Sequence, residues 1–146
     1  MGVADVELLG RIAETLKLLG TKRAMVVHGQ GMDEISLLGK TKVVELRDGR
    51  IESMELDPAE FGFTGASIDQ LGSGDAITNA ALVRNILSGK ERGARRDIVV
   101  LNAAAAIIVA GLVDSFPQAL PLAEYSIDDG KAMHCLETLI EVSNKG

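Results

Sequence analysis

The chain changes direction in the run Val26-Val27-His28-Gly29-Gln30-Gly31-Met32-Asp33-Glu34-Ile35-Ser36-Leu37. Its first residues complete the apolar segment 24–27, which predicts a short strand buried on both faces. Gly29 and Gly31 follow, and glycine lets the backbone turn sharply and lets a ligand come close to the peptide groups. Asp33 and Glu34 come directly after the turn, where ligands of open α/β sheets collect. The run therefore predicts a strand, a tight turn and an acidic binding site.

The adjacent carboxylates of Asp33 and Glu34 have two interpretations. Mg²⁺ takes hard oxygen ligands, usually one or two carboxylates together with water and substrate phosphate, so the pair suits a magnesium site. Alternatively, Asp33 caps a short helix at 34–38 while Glu34 faces solvent. Spacing alone favours the cap, because neighbouring residues of a regular helix or strand point apart and share one ion region only at an irregular turn.

The rest of the chain predicts an α/β fold in a single domain over residues 1–146. Strand-like segments at 41–46 and 50–56 flank Asp48-Gly49, one of the strongest signals for an antiparallel hairpin. The strand at 24–27 and this hairpin (about 41–56) are expected to form a partial mixed sheet flanked by several helices, with an ordered loop at 57–74. The helices are predicted at 5–19, from an Asp75 cap to Gly89, from an Asp97 cap to about Gly111, at 116–127 and at 131–142.

Composition excludes several classes of function. Hydrophobic residues make up 47% of the chain and charged residues 25%, and the net charge of −6 argues against nucleic acid and anionic membrane as partners. The basic cluster at 90–96 is interpreted as a solvated connector between helices. The apolar segment 98–113 is shorter than the roughly twenty residues of a membrane span, so it predicts a helix buried on nearly every side.

The predicted location is the cytoplasm. The first residues, 1–7, lack the basic region of a secretory signal. The one cysteine, Cys135, cannot form a disulfide within the chain, so the chain tolerates a reducing compartment. We interpret Cys135 as a packing residue.

The run around Asp33 and Glu34 resembles the metal-binding loop of the anthranilate phosphoribosyltransferases, and the likeness covers essentially the whole chain in the family's order. The resemblance implies the C-terminal part of the nucleoside phosphorylase/phosphoribosyltransferase catalytic domain. It also implies that Asp33 and Glu34 hold Mg²⁺ against the pyrophosphate of phosphoribosyl pyrophosphate, in an enzyme that transfers the phosphoribosyl group to anthranilate in tryptophan biosynthesis. The matching segments are Leu16 with Leu19-Gly20, Val27-His28-Gly29, Asp33-Glu34-Ile35-Ser36, Asp57-Pro58, Phe61-Gly62, Gly74-Asp75-Ala76, Asn79-Ala80, Arg96-Asp97, Leu101-Asn102-Ala103-Ala104-Ala105, Ile127-Asp128 and Gly130-Lys131-Ala132.

Enzymes of that family also have an N-terminal helical domain and a glycine-rich phosphate loop, and neither pattern occurs in this sequence. The stretch 71–75 lacks the threonine and the paired glycines of that loop, and its Asp75 is better explained as a helix cap. We therefore expect the chain to be inactive alone. We also expect it to form a homo-oligomer, or to bind the missing N-terminal half, through an exposed strand edge.

Two alternatives to a part of such a transferase stay open. One is a non-catalytic, self-associating fragment that at most binds divalent metal or pyrophosphate. The other is a relative of the pyrimidine nucleoside phosphorylases, which match the motifs less well.

Two further polar residues lie near the predicted site or in the apolar helix. His28, beside the turn, contacts either a phosphate or a neighbouring backbone group, and the backbone contact is favoured. Asn102 is polar within an apolar segment. Because a buried polar side chain needs hydrogen-bond partners, we expect Asn102 to tie down a neighbouring loop.

Overall fold

The computed structural model describes residues 1–72 and 74–145. The predicted loop at 57–74 contains a 3₁₀ turn and one short helix, and Ser73 of the stretch 71–75 lies outside the described residues. The strands are β1 (Arg23–Gly29), β2 (Thr41–Arg47) and β3 (Arg50–Leu56), and the helices are α1 (Leu8–Leu18), α2 (Ile68–Leu71), α3 (Ala76–Leu87), α4 (Ala94–Val109), α5 (Phe116–Asp128) and α6 (Lys131–Ser143).

The strands form a sheet in the order β1-β2-β3, and both pairings are antiparallel. The predicted α/β class and the hairpin at Asp48-Gly49 are confirmed. Both turn residues have positive φ angles, 49° and 81°, as a two-residue hairpin turn requires. The sequence predicted a mixed sheet, with both parallel and antiparallel pairing. In the described residues, the parallel pairing is limited to one bridge between Gly2 and Val27.

The sheet separates two apolar cores, because alternate residues of β1 point to opposite faces. Val27 belongs to the larger core, which α4 and α5 share, together with Leu101 of α4. Val26 belongs to the smaller core, which α1 covers with Ala13. Both valines are buried, so the prediction of a strand buried on both faces is confirmed.

The predicted Asp97 cap of α4 is wrong. Gly93 occupies the cap position, and its carbonyl oxygen accepts hydrogen bonds from the N–H groups of Arg96 and Asp97 at 2.9 and 3.0 Å. Asp97 instead lies in the first turn, where burial raises the pKa of its carboxyl group above the ordinary value. Helix α4 is also less enclosed than predicted, since Ala106 within it and Ala110 at its C-cap are exposed. None of the helices in the described ranges is long and apolar enough to cross a membrane.

Two side chains contradict their interpretation from the sequence. Arg96 was assigned to a solvated connector, but it is buried and its Nη2 donates to Asp128 Oδ2 at 2.9 Å. A buried guanidinium needs a counter-charge, and Asp128 of α5 supplies it. The ion pair therefore ties α4 to α5. Cys135, interpreted as a packing residue, is exposed. It lies on α6, a helix with no fully buried residue.

Asp75 caps α3 as predicted, and its side chain accepts a hydrogen bond from the N–H of Thr78 at 2.8 Å. This hydrogen bond lowers the pKa of the Asp75 carboxyl group below its ordinary value. A carboxyl group whose pKa falls on folding adds stability above its unfolded pKa of about 3.9, and that stability is lost as the pH falls through the lower folded value. Acid should therefore weaken the start of α3.

The comparison with Asp75→Asn tests this pH dependence, since asparagine is also a good helix cap but does not titrate. We expect the difference in melting temperature between wild type and Asp75→Asn to be constant near neutral pH. Below about pH 4 the difference should shift against the wild type. Thermal unfolding followed by circular dichroism over a pH series measures it, and a difference that stays constant into acid would contradict the role of the carboxylate.

Candidate metal centre

The turn after β1 is tight, as predicted. Gly29 and Met32 exchange two backbone hydrogen bonds, of 3.0 Å from the N–H of Gly29 and 2.9 Å from the N–H of Met32. The two residues between them, Gln30 and Gly31, have positive φ angles of 52° and 82°. This geometry is that of a two-residue hairpin turn, which sends the chain back beside the end of β1.

Gly29 serves a different purpose from the one predicted. A Cβ at this position would lie 2.6 Å from the carbonyl oxygen of Glu34 and 2.7 Å from the Cβ of Ser36. A Cβ at Gly2 would lie 1.4 Å from the carbonyl oxygen of Asp33. The expectation that the glycine lets a ligand approach is therefore corrected. The space is taken by the backbone of the acidic segment itself, which is held between two glycines.

Residues 34–38 form no helix, so the interpretation of Asp33 as a helix cap is wrong. The segment 33–40, which we call the acidic loop, is irregular. Ile35 to Leu37 are buried, and the N–H of Ser36 donates to Thr41 Oγ1 at 3.0 Å. Asp33 is exposed and Glu34 is half-buried. Adjacent side chains point apart in a regular helix or strand, but this loop is neither, so Asp33 and Glu34 are not prevented from facing the same ion.

Asn102 holds the acidic loop from the side of α4, as the sequence predicted in general terms. Its Oδ1 accepts from the N–H of Ile35 at 2.9 Å, and its Nδ2 donates to the carbonyl oxygen of Ile35 at 2.9 Å. The favoured interpretation of His28 is also confirmed, because its Nδ1 lies 2.9 Å from the carbonyl oxygen of Val3 and donates to it. His28 Nδ1 and the side-chain amide of Asn102 are therefore already engaged with backbone groups and are not free to contact a phosphate.

The two carboxylates are electrostatically unfavourable together. Burial raises the pKa of Glu34, and the neighbouring charge of Asp33 raises it further. No group of three metal-ligating side chains occurs within residues 1–72 and 74–145. This donor set still fits Mg²⁺, because that ion usually takes one or two carboxylates and completes its shell with water and phosphate oxygens. It fits a structural zinc site poorly, because such sites use four protein ligands.

The acidic pair borders a hollow of about 410 Å³. The hollow lies between the outer edge of β1 and α4, and small side chains of α4 line one wall. Residues 1–3 partly cover this edge, since the N–H of Val3 donates to the carbonyl oxygen of Val27 at 3.0 Å. Asp33 and Glu34 thus lie at an open concave surface near the carboxyl end of β1. The hollow is lined by Met1, Gly2, Arg23, Ala24, Met25, Val27, Asp33, Glu34, Ile35, Asn102, Ala105, Ala106, Val109 and Ala110.

Comparison with known proteins connects this geometry to one family. The family model described as "Glycosyl transferase family, a/b domain" matches residues 1–133. The anthranilate phosphoribosyltransferase of Methanocorpusculum labreanum is 51% identical over 143 residues, which are 98% of this chain and 42% of that protein. The enzyme of the same name from Rubrobacter xylanophilus is 45% identical, over 99% of this chain and 43% of its own length.

Solved structures agree with the sequence comparison. The crystal structure of anthranilate phosphoribosyltransferase from Thermus thermophilus matches 94% of this chain and 40% of its own, with a TM-score of 0.84 and 39% identity. The Saccharomyces cerevisiae enzyme in complex with PRPP and Mg matches 96% of this chain and 41% of its own, with a TM-score of 0.83 and 26% identity.

The chain therefore spans about two fifths of the length of these relatives. Both the family model and the solved structures bear out the resemblance that the sequence motifs indicated. We conclude that this chain belongs to the glycosyl transferase family with the a/b domain, among proteins similar to the anthranilate phosphoribosyltransferases.

Proposed function

We propose that Asp33 and Glu34 form the magnesium-binding part of a larger enzyme that transfers a phosphoribosyl group from phosphoribosyl pyrophosphate to anthranilate. The observation that carries this proposal is the placement of both carboxylates on an irregular loop, at the mouth of a hollow near the carboxyl end of β1. The names of the relatives supply the reaction, and the yeast relative has a structure with PRPP and Mg.

The chemistry assigned to the pair is metal positioning. Bound Mg²⁺ would neutralise the negative charge that builds on the departing pyrophosphate. Asp33 and Glu34 would hold the ion through their carboxylate oxygens and leave its remaining positions to water and phosphate. Neither residue acts as nucleophile or general base. A cation also relieves the repulsion that raises the pKa of Glu34 in the ion-free loop.

We further propose that the chain has no transferase activity alone. It spans 42% of the Methanocorpusculum relative, and we place the phosphoribosyl cradle and the anthranilate pocket of the parent enzyme in the remainder. A metal site that lacks both has no substrate to orient, and orientation supplies a large share of catalysis. The test mixes the purified chain with anthranilate, PRPP and Mg²⁺ and follows the fluorescence of anthranilate. We expect no anthranilate to be consumed, and turnover would contradict this proposal.

The second candidate function is a non-catalytic, self-associating unit, and exposed apolar side chains favour it. Leu139 and Val142 of α6 are 65% and 64% exposed, and Ile77 of α3 is 81% exposed. Exposed apolar side chains attract partners where they form a contiguous surface. We therefore include homo-oligomerisation, or association with an N-terminal half, in the proposal. The cytoplasmic location is a separate prediction from the sequence.

A double substitution tests the metal assignment. Asp33→Asn with Glu34→Gln keeps the shape of both side chains but removes the charges that hold Mg²⁺. Losing a residue that only orients a metal ligand costs about 10- to 100-fold in affinity, so losing both ligands should weaken Mg²⁺–pyrophosphate binding by more than about 100-fold. Isothermal titration calorimetry with Mg²⁺ and pyrophosphate measures this change on the purified chain.

The matched control is Glu52→Gln with Glu14→Gln. These carboxylates lie exposed on β3 and α1, so the control removes the same net charge away from the hollow and from the acidic loop. Its binding heat should equal that of the wild type. Equal heats for the Asp33/Glu34 double variant and the wild type would remove the metal assignment.

A further inference from the structure

We propose that Asn102 is a positioning residue for the metal centre, because its side-chain amide clamps the peptide groups at Ile35 and so fixes Asp33 and Glu34 at the mouth of the hollow. This inference rests on the proposed function of the two carboxylates. Asn102 itself contacts the loop backbone and neither carboxylate, so its effect is indirect.

The clamp holds Ile35 at two points. Asn102 Oδ1 accepts from the N–H of Ile35, and Nδ2 donates to the carbonyl oxygen of the same residue, both at 2.9 Å. Two hydrogen bonds to one residue restrict its translation and its rotation, as a neighbouring strand does in a sheet. Nδ2 also donates to the carbonyl oxygen of Ile98, one turn earlier in α4, at 2.9 Å. This third bond fixes the orientation of the amide on a rigid helix.

The acidic loop needs this clamp, because its backbone polar groups are buried outside any regular element. Ile35 is only 1% exposed. Without Asn102, its N–H and carbonyl groups would lose the partners that the described structure gives them, and leaving buried polar groups unpaired is strongly unfavourable. The next contact along the loop, from the N–H of Ser36 to Thr41 Oγ1, holds the side of the loop away from the carboxylates.

The clamp lies where a small displacement has the largest effect on a metal. Ile35 follows Glu34 directly, and the carbonyl oxygen of Asp33 packs against Gly2. Mg²⁺ requires nearly ideal octahedral geometry at about 2.0–2.1 Å from its ligands. A loop that moves by a fraction of that distance keeps both carboxylates but holds the ion poorly.

The test uses the full chain and the substitution Asn102→Ala, with Ile108→Val as the control. Ile108 is a buried residue of the same helix and belongs to the same core, but it makes no hydrogen bond to the loop. Mn²⁺ replaces Mg²⁺ so that electron paramagnetic resonance can report its binding with pyrophosphate. We expect Asn102→Ala to weaken this binding by about 10- to 100-fold, the usual cost of removing a group that orients ligands. The control should bind as the wild type does.

A measurement without metal separates the clamp from the proposed function. In the wild type, the Ile35 amide should be protected from hydrogen exchange although it lies in an irregular loop, and Asn102→Ala should remove this protection while β2 and β3 keep theirs. If the alanine variant does not fold, Asn102→Ser and the protection in the wild type still decide the matter. A rapidly exchanging Ile35 amide in the wild type overturns the proposal.

The remaining outcomes are also distinct. A folded Asn102→Ala chain that binds Mn²⁺ and pyrophosphate as tightly as the wild type overturns the positioning role. A wild-type chain that binds no Mn²⁺ with pyrophosphate removes the proposed metal function, and with it the metal-positioning role of Asn102. The exchange measurement then decides only whether the clamp on the loop exists.

Discussion

A Gly29→Ala substitution will lower the free energy of unfolding by about 3 kcal/mol, at the upper end of the cost of forcing extra atoms into a packed site. The added Cβ would lie 2.6 Å from the carbonyl oxygen of Glu34 and 2.7 Å from the Cβ of Ser36. One of these atoms belongs to the backbone, so relief requires the acidic loop to move. Urea unfolding measures the stability, and Mn²⁺ binding should fall in the same variant.

Gly10→Ala is the matched control, since it makes the same chemical change in the first turn of α1. Nothing lies within 4 Å of a Cβ at Gly10. Alanine is favoured over glycine within a helix, so this variant should gain stability, by at most about 0.5–1 kcal/mol. Opposite signs for the two variants would locate the cost of Gly29→Ala in the close approach. A stability loss in Gly10→Ala, or none in Gly29→Ala, would contradict the described packing.

Leu101→Ala should be the most destabilising single substitution among those considered. Leu101 is fully buried in the larger core between β1 and α4. Truncating a buried leucine costs about 2–5 kcal/mol, depending on how far the cavity collapses. The net stability of a domain is about 5–15 kcal/mol, so the loss is a large part of the total.

Thermal unfolding followed by circular dichroism checks this value, with about 2–4 °C expected for each kcal/mol in a chain near this size. Leu18→Ala is the control, because the same side chain is removed from a position that is 86% exposed and that no proposed interaction uses. Its melting temperature should stay close to that of the wild type. Similar losses for the two leucines would contradict the assignment of Leu101 to the core.

Local patterns predicted the sheet well, because their causes lie within a few residues. Val26 and Val27 are apolar neighbours, and a strand buries two such residues in succession only when both of its faces are covered. Asp48-Gly49 specifies its hairpin through the positive φ angles that the turn requires. For Asp33 and Glu34, spacing alone favoured a helix cap over a magnesium site, and the family resemblance favoured magnesium, which stays a proposal.

Features that depend on distant neighbours were predicted in part or wrongly. The spacing of Gly29 and Gly31 indicates that a Cβ is not tolerated, but it does not tell which atoms occupy the space. Asn102 needed a partner, yet the sequence could not identify Ile35. Asp97 matched the composition of a helix cap, but Gly93 begins the helix because the backbone of 93–97 already closes its first turn.

The hydrogen bonds between Asn102 and Ile35 join residues 67 positions apart in the chain. Closing so long a stretch costs more conformational entropy than closing the β2–β3 hairpin, and such distant contacts tend to form late in folding. The cation affinity that we propose for Asp33 and Glu34 should consequently emerge only after α4 has been synthesised and has docked. A chain truncated before Asn102 would carry both carboxylates and still capture no ion.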